Sequence, residues 1–475
     1  MECLFFSSYI PAFLMRLLQK IKKAKKLATV IARHGYNLIS LLASVQDAAP
    51  KDAFIQEGVN RISYAALYRQ ALQIAYILEH RYGVKPKQKI LLACPNGIAF
   101  LSILFALSAL GCDITLIHPA ATKTSLQGQI QDYDYLIHSG AGTVPDLLPA
   151  LDIQVLLHQL SAHCPSLSPR KCGSYLSVLS SGSQGMPKRY KRKVKAFTYY
   201  RPFRELYTKL RLSEYDTTYI ALPFHHGYGL AAVLLSLFLE KKVYCHPDYN
   251  SHNILAVATK TPISCWIVVP SMIPLLYTHK DQVLCHTRAI ISGGDLLEPL
   301  WTQQILQETK VRLYSLYGTS QNGICAIATP EDLRQYPATL GKLIRGTRYK
   351  LAALPQEHAE SLWLKNAWST DNPNGGFIDT GDLIRINKEG YLFYEGRRDQ
   401  MRIVGGKNLY PATIADHIRA FEQVKTVSVS VRKDAQLRST LHAALEVHPN
   451  FDAKLFDQYI TRVLPEYTIH FDIIA

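Results

Sequence analysis

The sequence predicts an α/β protein: one large domain built from two α/β halves, followed by a small α+β lobe. Three observations lead there. From about residue 50, apolar runs of strand length alternate with helix-length apolar segments, the pattern of βαβ units around a mainly parallel sheet. The alternation begins a second round at Thr218, which makes two halves. The chain of 475 residues is also too long for one ordinary core and calls for two or three domains.

In the first half, Lys89–Cys94 and Asp113–His118 are short apolar runs of strand length, and Gly97–Gly111 between them is a helix-length apolar segment ended by a glycine. Tyr175–Leu179 is strand-like and runs into a Ser/Gly-rich stretch. The second half reads as strand Thr218–Leu222, helix Gly229–Glu240, strand Lys242–Cys245, helix Asn253–Thr259, strand Cys265–Val269 and strand Arg288–Ile291 before a glycine pair. The polar, Gly/Asn-rich segment Asp371–Gly376 precedes two hairpin-like strands, Leu383–Asn387 and Tyr391–Tyr394. Beyond Asp399, residues 400–475 read as strand, helix, strand and helix.

A hydrophobic fraction of 48% is that of a soluble globular protein, and neither disorder nor repeats are indicated. The formal charge of +16 is concentrated. Residues 1–35 carry Arg16, Lys20, Lys22, Lys23, Lys25, Lys26 and Arg33 against Glu2 alone. Lys188, Arg189, Lys191, Arg192, Lys193 and Lys195 form a second run with no acid among them. Nucleic-acid-binding proteins spread charge over a face with aromatics interleaved, so two isolated runs point instead to a phosphate site and an anionic membrane surface, with no nucleic acid as partner. Leu4–Leu18 is apolar but short, contains Pro11 and has its charges behind it, which excludes a secretory signal and a bilayer span. From Met15, a second candidate start, Leu17, Leu18, Ile21, Ala24, Leu27, Ala28 and Ile31 recur at helical spacing among lysines. Two readings of residues 15–35 stand side by side: a basic amphipathic helix on an anionic membrane, or a solvent-facing helix packed on its own domain. The nine cysteines lack metal-ligand spacing and read as free thiols in a reducing cytoplasm.

The stretch Ser180, Ser181, Gly182, Ser183, Gln184, Gly185, Met186, Pro187, Lys188 has the composition of a phosphate cradle. Small hydroxyl residues and glycines let N–H and O–H groups close around phosphate oxygens, and the terminal lysine adds charge. The Walker spacing is absent. The loop resembles the phosphate-binding signature of the adenylate-forming superfamily, which includes acyl- and aryl-CoA synthetases, luciferases and peptide-synthetase adenylation domains. Further stations follow in the family's order. Pro223–Gly229 (PFHHGYG) resembles its Pro-x-x-His-x-x-Gly segment with His226 at the histidine, and Ser292-Gly293-Gly294-Asp295 its adenine-lining turn. Tyr317-Gly318-Thr319-Ser320-Gln321 resembles Tyr-Gly-x-Thr-Glu. Thr380-Gly381-Asp382 precedes Gly396–Pro411 (GRRDQMRIVGGKNLYP), which resembles the hinge and glycine loop of acyl-CoA synthetases. The likeness spans residues 45–475 and is greatest to bacterial medium- or long-chain fatty-acyl-CoA synthetases.

The resemblance implies a chain divided into the basic N-terminal segment 1–45, a large AMP-binding domain 46–398 that includes a distorted β-barrel, and a small mobile lobe 399–475 hinged at Asp399. It implies ATP, Mg²⁺ and CoA as cofactors. Ser180–Gly185 and Lys188 would hold the triphosphate, and Gly293, Gly294 and Asp295 would line adenine. Tyr317 would stack on adenine with Gly318 beside it, and Ser320 would bond the α-phosphate. Asp382 and Arg397 would bind ribose, and Gly405-Gly406 would approach the pantetheine channel. Lys188 and His226 are cast as catalytic, His226 lying between acyl pocket and carboxylate. The implied reaction activates a carboxylic acid, of medium- or long-chain fatty type, to acyl-AMP and then to a CoA thioester. A carrier-protein phosphopantetheine is the alternative acceptor, and an adenylate- or CoA-binding module without turnover is the alternative function. The implied location is the cytoplasm, with peripheral contact to the inner face of the membrane.

Two departures bear on chemistry. Gln321 stands where the family has a glutamate on Mg²⁺, and an amide oxygen is a neutral, weaker ligand. The family's C-terminal lysine is also absent: Leu464–Thr468 resembles the segment preceding it and the sequence stops at Ala475, so a shortened chain with an incomplete small lobe is expected.

Overall fold

The structure, a computed structural model, describes residues 25–35, 37–47, 53–119, 132–140, 148–161, 163–171, 175–180, 188–192, 196–247, 251–353, 360–370, 376–398, 402–404, 407–409, 411–433, 439–464 and 469–474. Compactness separates Met1–Ala338, Ile344–Gly346 and Ala367–Pro373 from Thr339–Leu343, Thr347–Asn366 and Asn374–Ala475.

The first unit contains two sheets. One is 6-stranded in the order Ala150–Asp152, Tyr135–His138, Lys89–Ala93, Asp113–Ile117, Leu176–Ser180, Lys188–Arg192, with the last strand antiparallel and the rest parallel. The other runs Gly323–Ala328, Arg312–Thr319, Ala289–Gly293, Cys265–Val268, Thr217–Ile220, Lys242–Cys245, Phe54–Glu57, Asn60–Ser63, antiparallel only at its two ends. The second sheet shows strict two-residue alternation: Ile220, Cys265, Ile267, Ala289 and Ile291 enter one core, whereas Tyr219, Trp266, Val268 and Ile290 enter another. The first of these cores also takes Ile90, Leu92, Ile114 and Leu116 from the 6-stranded sheet, with the helices Tyr64–His80, Ile98–Leu110 and Gly227–Phe238 between.

The helix Ile98–Leu110 is buried from Phe100 to Leu110 and therefore apolar on every side. Gly111 ends it in the left-handed conformation (φ 77°), its N–H reaching the carbonyls of Leu107 and Ser108. Residues 25–34 are helical, with Leu27, Val30, Ile31 and His34 half-buried along one face; residues 15–24 of the expected basic helix lie outside the described residues. Among the described residues no helix is long and apolar enough to cross a membrane. Cys94, Cys112, Cys245, Cys265 and Cys325 are buried as thiols and not joined in disulfides.

The second unit holds an antiparallel sheet ordered Arg348–Ala353, Glu360–Lys365, Ile378–Ile386, Leu392–Arg397, Thr339–Leu343, irregular at Ser361/Trp363 and Leu383/Ile384. Its central strand starts five residues before the sequence boundary at Leu383, because a bulge absorbs the Thr-Gly-Asp turn into the strand. The tail is richer in strands than expected. Arg402–Val404 and Lys407–Leu409 pair before helix Pro411–Arg419, Val424–Lys433 and Ser439–Val447 lie side by side, and Ile469–Ile474 follows helix Ala453–Val463. The apolar alternation Leu441, Ala443, Leu445 faces Ile414, Ile418, Phe456 and Ile460, so the second strand is dictated by burial beneath both helices.

Candidate active site

In a parallel sheet the loops after the strands share one edge, where the freed ends of strands and the starts of helices bind ligands. Ser180 and Lys188, the two ends of the expected phosphate cradle, sit at that edge of the 6-stranded sheet. Leu176–Ser180 pairs with Lys188–Arg192 so that Ser180 stands opposite Lys188, which closes the connection as a hairpin. Ser181, Gly182, Ser183, Gln184 and Gly185 lie outside the described residues, as do Asp399, Gly405 and Gly406. Val404 stands opposite Lys407 on the antiparallel strands that flank the two glycines in sequence.

On the second sheet three sequence stations meet through one tyrosine. Tyr228 donates to the carbonyl of Ile291 at 3.1 Å, and burial pushes its phenol well above the usual range. A methyl group added at Gly293 would stand 3.2 Å from the Tyr228 ring and 3.0 Å from the carbonyl oxygen of Leu316. Gly294 adopts φ +90°, a conformation that glycine holds without strain, and Asp295 accepts from the N–H of Leu296 at 2.8 Å. The His226 segment and the glycine turn are thus held together, with Leu316, the residue before Tyr317, in register beside Gly293. Beyond Tyr317 the strand is irregular, and Gly318 lies so near the Gly323 carbonyl that a side-chain carbon would stand 2.4 Å from its oxygen. The turn that follows is tied down by Asn322, fully buried, whose backbone N–H donates to Thr319 Oγ1 at 3.0 Å and whose side-chain Oδ1 accepts from the Ser369 hydroxyl at 2.9 Å. Ser320 stays exposed on this turn, and the Gln321 carbonyl accepts from the Thr370 N–H at 2.8 Å. Among the described residues no group of three or more His, Cys, Asp or Glu forms a metal cage. Gln321, the expected metal residue, carries an amide, so the side-chain oxygen it can offer a cation is neutral.

His226 is the N-cap residue of helix Gly227–Phe238, its ring left free of a capping role. Beside it stand two histidines the motifs did not single out. His118 follows strand Asp113–Ile117, and the His225 ring meets it edge-on at 5.0 Å and lies 4.4 Å from the His226 ring. Burial, then the neighbouring His226 and His118, press the His225 pKa down to about 3. His226 is lowered by burial and by His118. Asn96 fastens this corner, its amide donating to the Leu222 carbonyl and accepting from the Phe224 N–H, both at 2.6 Å. The available signal was positional: His118 and Asn96 each follow a parallel strand at its carboxyl end.

In the second unit Asp382 and Arg397 stand opposite one another in register, joined by a 3.0 Å ion pair. Gly381 (φ +75°) lets the backbone pass the guanidinium, since a side-chain carbon there would lie 3.0 Å from Arg397 Nη2. Thr380 donates to the Leu362 carbonyl at 2.8 Å and accepts from the Asp382 N–H at 3.1 Å, fixing the carboxylate's direction. Asp379 accepts from the Gly381 N–H and is ion-paired with Arg398. A carboxylate and a guanidinium held this way suit a vicinal diol.

Residues 42–358 match the family described as AMP-binding enzyme. The chain belongs to the AMP-binding enzyme family. Within that family it is 22% identical over 451 residues to a 2-succinylbenzoate–CoA ligase of Bacillus licheniformis, covering 89% of this chain and 92% of the relative. The fold of this family member is that of O-succinylbenzoate coenzyme A synthetase from Bacillus subtilis in complex with AMP, with a TM-score of 0.79 at 19% identity, over 92% of this chain and 94% of that one. The same enzyme in complex with ATP and magnesium ion gives 0.77 at 18% identity, over 92% and 95%.

Proposed function

We propose that the protein is an AMP-forming acid–thiol ligase. A carboxylate attacks the α-phosphate of Mg·ATP to give acyl-AMP and pyrophosphate, and the thiol of CoA then displaces AMP as the thioester forms. The observation that supports this reading is the packing of Tyr228, from the His226 segment, on Ile291 and Gly293-Gly294, with Leu316 in register beside Gly293. Ser180, Lys188 and the loop between them would take the triphosphate, with Lys188 supplying positive charge to the anion. Tyr317 would cover adenine beside Gly293, Gly294, Gly318 and Asp295, and Ser320 would reach the α-phosphate. Asp382 and Arg397 would hold the ribose hydroxyls, and Gln321 would lend the metal one oxygen. Asp399 and Gly405-Gly406 would serve the change between the two half-reactions.

The acid is a carboxylic acid in either case. A fatty acid follows from the motif resemblance, whereas the relatives' names favour an aromatic acid of the 2-succinylbenzoate type. The acceptor is CoA, with a carrier-protein phosphopantetheine as the alternative, and the location is cytoplasmic. Acid- and Mg²⁺-dependent exchange of labelled pyrophosphate into ATP tests the first half-reaction, and addition of CoA or a phosphopantetheinylated carrier protein tests the second. ATP binding with no exchange for any acid would leave an adenylate-binding module in place of an enzyme.

A further inference from the structure

The second unit carries a pair of histidines that the nucleotide chemistry does not use. Strand Ile469–Ile474 runs parallel to Ser439–Val447 and forms one edge of a 3-stranded sheet. In that register His470 stands opposite His442. The two imidazoles are stacked, their centroids 5.0 Å apart and their planes 26° from parallel. Alternation fixes the face on which they stand. Leu441, Ala443 and Leu445 enter the core beneath helices Pro411–Arg419 and Ala453–Val463, with Ile469 and Phe471 packed beside them. His442 and His470 therefore point to the opposite face, where His470 is exposed and His442 half-buried.

Their neighbours on that face are small or acidic. Ser430 is the register partner of His442 on its other side, and Ala444 and Asp472, one pleat further on, are partners of each other. Ser430 and Ala444 leave the ring edges open to approach, and Asp472 brings an exposed carboxylate to the same face. Neighbouring strands lie about 4.8 Å apart, which sets two side chains in register at the spacing of a chelate. Two imidazole nitrogens each about 2.1 Å from one tetrahedral ion lie roughly 3.4 Å from each other. Rings 5.0 Å apart at their centroids and already tilted reach that separation by rotating about their side-chain bonds, with the backbone unmoved. As a free pair the rings repel each other when protonated, whereas a shared cation makes the same juxtaposition favourable.

We propose that His442 and His470 form a binding site for a first-row divalent cation of the Zn²⁺, Ni²⁺ or Cu²⁺ class, with water completing the coordination on the exposed side. Imidazole suits these ions, and the oxygen preference of Mg²⁺ separates this site from the metal of the nucleotide chemistry. Two side-chain ligands make an open site, consistent with the finding that no group of three or more His, Cys, Asp or Glu forms a cage among the described residues. The bound ion cross-links strand Ile469–Ile474, which pairs on one side only, to the central strand of its sheet. This site is independent of the ligase reading.

The test uses the full chain freed of any affinity tag. Amide hydrogen exchange across Ile469–Ile474 is expected to slow by roughly 10–100-fold on adding Zn²⁺ well above its dissociation constant, and to be unmoved by Mg²⁺. In H442N and in H470N the Zn²⁺ effect on this strand should vanish. Isothermal titration should show one Zn²⁺ site weakened by at least roughly 10-fold in either variant, the smallest loss met when only a supporting contact of a metal-bound imidazole is removed. The difference between the Cu²⁺ paramagnetic resonance spectra of wild type and H470N should carry coupling to two nitrogens. His470 is exposed, so H470N is expected to fold, and exchange in the metal-free proteins checks that it does. Exchange at Ile469–Ile474 that ignores Zn²⁺ in the wild type, or Zn²⁺ protection equal in wild type and both variants, overturns the proposal.

Discussion

Asp382 and His225 are equally buried, each 5% exposed, and their surroundings differ completely. The carboxylate lies in a strand facing a guanidinium at 3.0 Å, with its backbone N–H held by Thr380. The imidazole has rings on two sides and no partner for either nitrogen among the described residues. The contrast follows from charge. An ionised carboxylate cannot be buried without a counter-charge, so the chain must supply one in the same hairpin. An imidazole can shed its proton instead and sit neutral, at the smaller cost of unmade hydrogen bonds.

The comparison breaks most directly at Arg397. Arg397→Leu strands a buried carboxylate, and we expect about 3 kcal/mol lost from unfolding stability, read from urea melts of the full chain. An unchanged midpoint would mean that Asp382 does not depend on its partner. Asp382→Asn keeps the shape and removes the charge. The KM for ATP in pyrophosphate exchange should rise roughly 10–100-fold with a smaller stability change, because hydrogen bonds to charged groups exceed neutral ones.

The imidazole side of the contrast is tested by pH. With a folded pKa near 3 against an unfolded value near 6.5, His225 binds its proton more readily in the unfolded chain. Stability from this source is full above pH 6.5 and is lost as pH falls toward 3, about 2 kcal/mol by pH 5. His226, lowered as well, acts in the same direction. Urea midpoints at pH 7 and pH 5 should converge in His225→Phe relative to wild type; equal pH slopes in both proteins would contradict the neutral, buried imidazole. The smallest effect is expected at Tyr228→Phe, which removes one neutral hydrogen bond to Ile291 and should cost about 1 kcal/mol, with a modest rise in KM for ATP.

The same contrast explains what could be read from the amino-acid order. Alternation in the central strands and the glycine-ended helix Ile98–Leu110 was legible because burial on two faces or on all sides leaves a periodic trace. Thr380–Asp382 and Arg397 were singled out by the family resemblance, and the structure adds that Asp382 and Arg397 are an ion pair in register across a bulged hairpin. Boundaries near bulges were not, since the irregularity at Leu383/Ile384 carries the strand back through the motif. His118, His225 and Asn96 escaped because they are single polar residues assembled from segments distant in sequence, and only the third dimension makes them neighbours. The tail holds five described strands where two were expected, because the short pair Arg402–Val404 and Lys407–Leu409 and the closely spaced partners Val424–Lys433 and Ser439–Val447 leave little periodic trace to separate them.

Asn96 has a mechanical consequence. It leaves the strand Lys89–Ala93 of one sheet and clasps Leu222 and Phe224, which leave the strand Thr217–Ile220 of the other. Both bonds are buried, so neither sheet can fray at this edge without opening the other's loop. Local unfolding there is cooperative across two sheets that are separate in the hydrogen-bonding ladder. The energy that guards this edge is thereby drawn from both sheets through a single amide.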